Sequence, residues 1–453
     1  MSSSTISPTP YNPTPQIPGR ASRRSRPLPA TFRALRHRNY RLWFFGQTVS
    51  LIGTWMQIVA QQVLVYRLTG SAAALGMISF IGLIPVLPLS LWGGSLSDRL
   101  PRRAIILAMQ ACQMLQAIVL AALTWTGAVQ LWHVYVLALL LSAAVAIDLP
   151  ARQAFTVDMI NGKEDLANAI GLNSAMFNAA RAIGPALAGV LVAAIGEGPA
   201  FLFNGLSFLA VIASLLMMRG LPAPAPQPAG RQSTLQHMAG GVRFMLRERL
   251  LLTLVSLVAI SAFLSMPYNT LLPVFAGVIL KDSAQPTVQV LCGGENPLMS
   301  CQSPEALPLG LLYAMIGVGA VIGALTVASL KDQARRGLYL TAGNLAFPAL
   351  LLIFAFSRSF SLSMLVMLFI GFSFVWQNAL ANTLLQVMTP DELRGRVMAV
   401  YTLTFQTMMR LGGLQAGYLA DWLSAPLSVA LGAGISLLYG LGIAVKVPGV
   451  RKL

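Results

Sequence analysis

The sequence predicts an all-α membrane protein, with twelve transmembrane helices in two pseudo-symmetric six-helix bundles. Three observations carry that prediction. Of 453 residues, 56% are apolar and only 10% are charged, with a mean hydropathy of +0.70, whereas soluble domains carry roughly a quarter charged residues. The apolar residues come in long unbroken runs, not in the alternation a membrane barrel requires, and about 20 such residues cross a bilayer as a helix. A stiff segment, Leu221-Pro222-Ala223-Pro224-Ala225-Pro226-Gln227-Pro228, divides the runs six and six.

The runs lie at 41–66, 72–96, 103–126, 130–148, 166–195 and 199–219, then at 249–278, 307–330, 337–357, 360–387, 396–421 and 424–446. The longest exceed the bilayer core, which predicts tilt or kinks. Residues 1–40 read as a basic cytoplasmic tail. Its first 30 residues are rich in Ser, Pro and Arg, read as disordered, and contain no apolar stretch of a cleavable signal peptide. Residues 41–220 and 249–446 are the two predicted bundles. Between them, 221–248 is a cytoplasmic linker ending in a surface helix over 231–249. Residues 279–306 are an external loop, and 447–453 a second cytoplasmic tail.

The net charge of +17 resembles a nucleic-acid signal until the charges are placed. With the N-terminus inside, 26 of the 31 Lys and Arg residues fall in cytoplasmic segments, and only Arg67, Lys281 and Arg358 fall outside. Bilayer topology accounts for that bias, and both termini are predicted cytoplasmic. The cluster from Arg20 to Arg41 then serves orientation and attraction to anionic lipid, with no nucleic-acid partner. Cys292 and Cys301 share the external loop, where an oxidising compartment permits a disulfide; two free thiols are the alternative. No His is near them, so no metal site is expected. Cys112 reads as a packing residue within the third span.

Four groups of residues carry chemistry. The loop Gly93-Gly94-Ser95-Leu96-Ser97-Asp98-Arg99-Leu100-Pro101-Arg102-Arg103 follows the second span. A carboxylate there can accept hydrogen bonds from a helix N-terminus and pair with arginine. In the fifth span, Arg181-Ala182-Ile183-Gly184-Pro185-Ala186-Leu187-Ala188-Gly189 combines a helix-bending proline with small residues that let a neighbour pack close. Arg181 and Arg410 are ionisable groups within spans, where a charge faces a cavity or a partner. With Asn178, Gln377 and Asn378 they read as a positive cavity for an anionic or hydroxyl-rich substrate, or else as a lock bonded to helix backbones. Asp148 is the best-placed carboxylate for proton coupling, or else an ion-pair partner for Arg152 or a loop arginine.

The halves echo each other. Glu164-Asp165-Leu166 corresponds to Asp391-Glu392-Leu393, and Arg181, Gly184 and Gly189 to Arg410, Gly412 and Gly417. Lys331-Asp332-Gln333-Ala334-Arg335-Arg336 is a worn copy of the loop at 93–103.

That loop resembles the signature of the major facilitator superfamily. Phe32-Arg33-Ala34-Leu35-Arg36-His37-Arg38-Asn39-Tyr40-Arg41-Leu42-Trp43, Leu68-Thr69-Gly70-Ser71 and Pro150-Ala151-Arg152-Gln153-Ala154-Phe155 resemble its enterobactin-exporter-like branch, the transmembrane secretion effectors, with macrolide efflux proteins as cousins. The resemblance implies secondary active export of a small molecule across a bacterial inner membrane by a monomer. It further implies alternating access with proton antiport, and no ATP or other cofactor. It gives Gly94, Asp98, Arg99, Arg102 and Arg103 the role of a gate, and it likens Gly184, Pro185 and Gly189 to an antiporter element. A siderophore-like cargo is the first reading and multidrug or macrolide efflux the second, for which Trp55, Met56, Phe177 and Phe405 would supply an apolar lining. An enzyme is not expected, because the 14 acids lie mostly in loops and His37, His133 and His237 are scattered. Asp98→Asn is expected to abolish transport while membrane insertion, checked by immunoblot of the membrane fraction, stays intact; normal transport would remove the gate role.

Overall fold

The computed structural model describes residues 30–160, 162–221, 234–293, 301–330 and 336–452. The predicted disorder of the tail before residue 30 and the copied loop at 331–335 lie outside them. A short 3₁₀ turn, Ala30–Arg36, leads into α1 (Arg38–Thr69). The first half continues with α2 (Ala72–Ile81), α3 (Val86–Arg99), α4 (Arg102–Trp125), α5 (Leu131–Asp158), α6 (Lys163–Ile195) and α7 (Glu197–Met217). The linker contains α8 (Thr234–Arg247). The second half comprises α9 (Arg249–Ile279), α10 (Lys281–Cys292), α11 (Leu307–Ser329), α12 (Arg336–Phe356), α13 (Phe360–Met388), α14 (Asp391–Trp422) and α15 (Ala425–Lys446).

Ten of these helices are long and apolar enough to cross a membrane. Two of the twelve predicted spans take another form. The second is broken: α2 ends at Ile81, the chain turns through Gly82-Leu83-Ile84-Pro85, and α3 resumes at Val86. Pro85 has no N–H to continue the ladder, and Gly82 adds no side-chain packing to hold it straight. The eleventh, α14, is a continuous 32-residue helix, but Asp391, Glu392, Arg394, Arg396 and Arg410 reduce its apolar character. Within α9, two π-type turns at Ser261–Ser265 and Phe275–Ile279 close hydrogen bonds from Met266 N to Ser261 O (2.9 Å) and from Leu280 N to Phe275 O (2.8 Å). They accompany Pro267 and Pro273, as expected where proline interrupts an α-helical ladder.

Pairings within each half fix the layout. α1 packs on α6 and α7, and α4 on α5 and α7; in the second half α13 packs on α11 and α12, and α12 on α15. Across the halves, α2 runs against α14 and α6 against α11. α6 and α11 are antiparallel, because Gly189 meets Gly310 and Ala182 meets Gly317. The start of α6 therefore lies at the same end as the close of α11, which is also the end holding both termini. We call it the terminal end and its opposite the far end.

The core divides unequally along this axis. At the far end one continuous apolar cluster joins both halves, from Leu64, Leu75 and Phe201 to Phe275, Leu312, Phe354 and Ala420. At the terminal end there are two separate clusters. Trp43, Ile106, Phe155 and Leu215 belong to the first half, and Leu254, Leu340, Leu384 and Val397 to the second. The halves are sealed together at the far end and hold separate cores at the terminal end.

Candidate functional site

Arg181 and Arg410 sit near the middle of α6 and α14, and each reaches across to the opposite half. The Arg181 guanidinium stacks on the Phe374 ring of α13, 4.8 Å from its centroid, a favourable cation–π arrangement. The Arg410 guanidinium lies over Gly82, in the break between α2 and α3. A Cβ built on Gly82 would stand 2.2 Å from Arg410 Nη1 and 3.0 Å from Ser142 Oγ of α5. The interruption of the second span thus makes room for an arginine from the other half. Neither arginine has an ion pair or hydrogen bond among the described residues. The backbone lock, one of the two readings of the sequence, therefore has no hydrogen bond to support it.

Arg181 continues a face of α6 formed by Ser174, Phe177 and Asn178, spaced three and four apart. Phe177 is 46% exposed and meets Trp55 edge-to-face at 5.7 Å; Asn178 is exposed and returns its amide to Ser174 O at 2.9 Å. The other predicted cavity residues are placed differently. Gln377 is 2% exposed inside the second half, where it accepts from Ser261 Oγ at 3.1 Å and donates to Asn344 Oδ1 at 2.7 Å. Asn378 is half-buried and accepts from the Tyr401 hydroxyl at 3.0 Å. Met56 is a core residue. Gln377 is thus enclosed within the second half. Polar residue type alone does not show which side of a helix is turned inward.

The surroundings of Gly94 and the side chains of Asp98 and Arg99 lie outside those described. Arg102 and Arg103 hold the first half to itself. Arg102 Nη1 contacts Asp158 at 2.8 Å, and Arg103 Nη2 donates to Leu216 O at 3.2 Å, near the C-terminus of α7. Gly184 packs on α1, where a Cβ would stand 2.6 Å from Trp55 Cβ; Pro185 lies inside the unbroken α6. Gly189 forms the seam itself, with its backbone against that of Gly310.

Two further polar clusters were not anticipated. At the terminal end, Asp165 accepts from Arg33 Nε (2.6 Å) and contacts Arg36 Nη2 (2.6 Å) and His37 Nε2 (2.7 Å). Two of the arginines assigned to lipid attraction are thus paired within the protein. At the far end, Asp421 closes α14 onto the start of α2. It accepts from Ser71 Oγ at 2.5 Å, Ala72 N at 2.8 Å and Ala73 N at 3.1 Å. A carboxylate on a helix N-terminus of the opposite half is the arrangement expected of Asp98, here found at the other end of the molecule. At the same end, Ser303 N and Gln302 N donate to Ala193 O (3.0 Å) and Ala194 O (3.3 Å), capping the last carbonyls of α6. The strand of loop that does so follows a Cys292–Cys301 disulfide with Cα atoms 5.5 Å apart, which resolves the alternative left open for these cysteines. Cys112 differs from its expected packing role, since it is exposed on the outer face of α4.

Asp148 is 2% exposed and pairs with Arg152 one turn along α5, with Gln110 Nε2 donating to it at 3.2 Å. Arg152 in turn lies over the Trp43 ring, 5.7 Å from its centroid. The ion pair with Arg152, one of the roles considered for Asp148, is thus present. No group of three or more metal-ligating side chains occurs among the described residues.

A family model described as transmembrane secretion effector matches residues 29–292 and 297–452. The chain is 26% identical over 411 residues to proteins named enterobactin exporter EntS from Shigella boydii serotype 18 and Escherichia coli O81, matching 89% of this chain and 90% of each relative. Its fold resembles that of the nucleoside transporter NupG, with a TM-score of 0.65 at 13% identity, covering 91% of this chain and 98% of that one. It also resembles a bacterial homologue of the lysosomal transporter Spinster in an inward-facing, unoccupied conformation, with a TM-score of 0.58 at 14% identity, covering 91% and 95%. Cores joined at one end and separate at the other, under a family match over nearly all of the described chain, identify it as a member of the transmembrane secretion effector family of major facilitator transporters.

Proposed function

We propose that this chain is a secondary active exporter of an anionic, siderophore-like metabolite, working by alternating access across a bacterial inner membrane. The observation that carries the reading is the pair of guanidinium groups, Arg181 and Arg410, offered from opposite halves with no neutralising anion among the described residues. An unpaired charge at that depth is costly, and a carboxylate, hydroxamate or catecholate offsets the cost. The names of the relatives favour the same class of cargo.

In this reading, 41–220 and 249–446 are the two moving bundles, both termini are cytoplasmic and the far end faces the periplasm. The separate terminal-end cores then mark the inward-open state. Proton antiport drives the cycle and the chain acts as a monomer. Asp421 helps hold the periplasmic end closed. Asp421→Ala removes a helix cap worth about 1 kcal/mol, so the outward-open population should rise about fivefold. Electron–electron resonance distances between spin labels across the far-end seam would show it, and unchanged distances would dismiss the clasp.

Siderophore partition in an iron-starved deletion strain tests the cargo. Loss from the medium with intracellular build-up, reversed by the intact gene, is expected. Unchanged partition in a strain lacking other exporters would move the assignment to multidrug or macrolide efflux.

A further inference from the structure

The first half contains a buried polar face that the transport reading does not use. On α4, Gln110, Gln113 and Gln116 recur every third residue and are 0%, 3% and 5% exposed. At 1.5 Å per residue they extend over about 9 Å of the helix axis. At one end, Gln110 bonds to Asp148, and Gln113 is also turned toward that carboxylate. At the other end, Gln57 Nε2 donates to Gln116 Oε1 at 3.0 Å, and Asn204 Nδ2 donates to Gln57 Oε1 at 2.6 Å.

The hydrogen bonding is incomplete in a particular way. Among the described residues, Asp148 Oδ1 and Gln110 Oε1 are fully buried acceptors without a donor. Gln113 Nε2, Gln116 Nε2 and Arg152 Nε are likewise fully buried donors without an acceptor among the described residues. Buried polar atoms are otherwise nearly always paired. The second half shows the contrast, since its Ser261–Gln377–Asn344 network leaves neighbouring Ser265 Oγ as that half's one such atom among the described residues. A metal cation would suit the acceptors and be repelled by the donors, and an anion the reverse. Water both donates and accepts, and so satisfies the whole set.

We propose that this face of α4 binds a short string of ordered water molecules, linking Asp148 to the Gln57–Gln116–Asn204 network, and that the Asp148 carboxyl exchanges its proton along it. The proposal deepens the proton-coupled reading, on which it rests, by giving a route to Asp148, a carboxylate buried part-way along α5. Arg152, on the same helix, is the charged group described against Asp148. Arg102 of α4 is held by Asp158, and on the adjoining α3 the side chains of Asp98 and Arg99 lie outside the described ones. No proton is created or consumed in the relay: each water passes one on and receives one. Gln113 is a positioning residue, offering the donor midway between the two ends.

Two measurements on the full chain in nanodiscs test the proposal without any cargo. The first is a cryo-electron microscopy map that shows ordered water. Density bridging Gln113 Nε2 and Asp148 Oδ1 is expected, absent in Gln113→Leu; a dry face in a map with clear water elsewhere would overturn the binding site. The second is infrared spectroscopy of the carboxyl stretch after a pH jump, with the band assigned by its loss in Asp148→Asn. Gln113→Leu should slow that band about tenfold, the effect of removing one charge-linked hydrogen bond. An equal rate, or an Asp148 band that never responds to pH, would overturn the proton route. Unchanged siderophore partition would instead count against the export reading and leave both of these results standing.

Discussion

Arg410→Gln should reduce export by about ten- to a hundredfold while leaving the amount of folded protein in the membrane unchanged. That range corresponds to the 1.5–3 kcal/mol that a hydrogen bond to a charged group contributes. Arg181→Gln should show a comparable loss, because each guanidinium reaches the opposite half and has no counter-charge among the described residues. Lysine at either position should restore only part of the rate, since an ammonium does not reproduce the planar fork that grips a carboxylate or stacks on Phe374. The measurement is efflux from loaded cells, normalised to detergent-extracted monodisperse protein. If the substitutions lower that protein yield and leave efflux per molecule unchanged, the arginines are structural and the anionic-cargo reading fails. Filling the recess from the other side should act in the same direction. Gly82→Leu would displace the Arg410 guanidinium from the break in the second span.

Gly189→Val should abolish transport by preventing the far end from closing. A Cβ at this position would stand 2.0 Å from Gly310 Cα and 2.7 Å from Gly310 N. Both neighbours are backbone, so no side chain can move aside, and the strain must exceed the usual 1–3 kcal/mol or so of an overpacked core. The helices have to separate, which shifts the population at least about tenfold toward a state open at the far end. Spin-label distances across α6 and α11 should lengthen accordingly. Gly434→Val and Gly442→Val are the controls, because nothing lies within 4 Å of a Cβ at either position. Retained transport and unchanged distances in Gly189→Val would show that the α6–α11 seam does not hold the closed state.

The class of this protein was legible because a bilayer leaves few choices. Ten long apolar runs became ten long helices, nine close to the predicted bounds and α5 running ten residues past its predicted end, since an unpaired backbone group in hydrocarbon is too costly for other structures. The membrane-facing length of each run could be read residue by residue. So could the presence of Arg181 and Arg410 at matching depths, because charge in an apolar run is conspicuous. The cysteine pair was legible as an option, and the geometry of the loop decided it.

Other features depended on neighbours that sequence order does not reveal. Gly82 and Pro85 advertise a weak point in the second span, but the reason for the break is an arginine more than 300 residues away. Gln377 and Asn178 look alike as amides within apolar helices, yet one is closed inside a bundle and the other is exposed on α6. The glutamines of α4 form a network only when Asp148, Gln57 and Asn204 arrive from three other helices. Asp421 looks like a loop acid at the end of a span, and becomes a cap only when α14 meets the start of α2.

Hydropathy and charge placement, which act locally and through the solvent, were enough for the sequence to determine a helical membrane protein; the major facilitator pattern came from the resemblance of the loop at 93–103 and the stretches quoted with it. Which polar groups face the space between the halves, which are consumed in packing and which end is sealed were decided only by the tertiary structure. The reason is physical: within a membrane helix every face is similarly apolar. The inward face is therefore chosen by close packing and by hydrogen bonds to residues distant in the chain, not by periodicity along it.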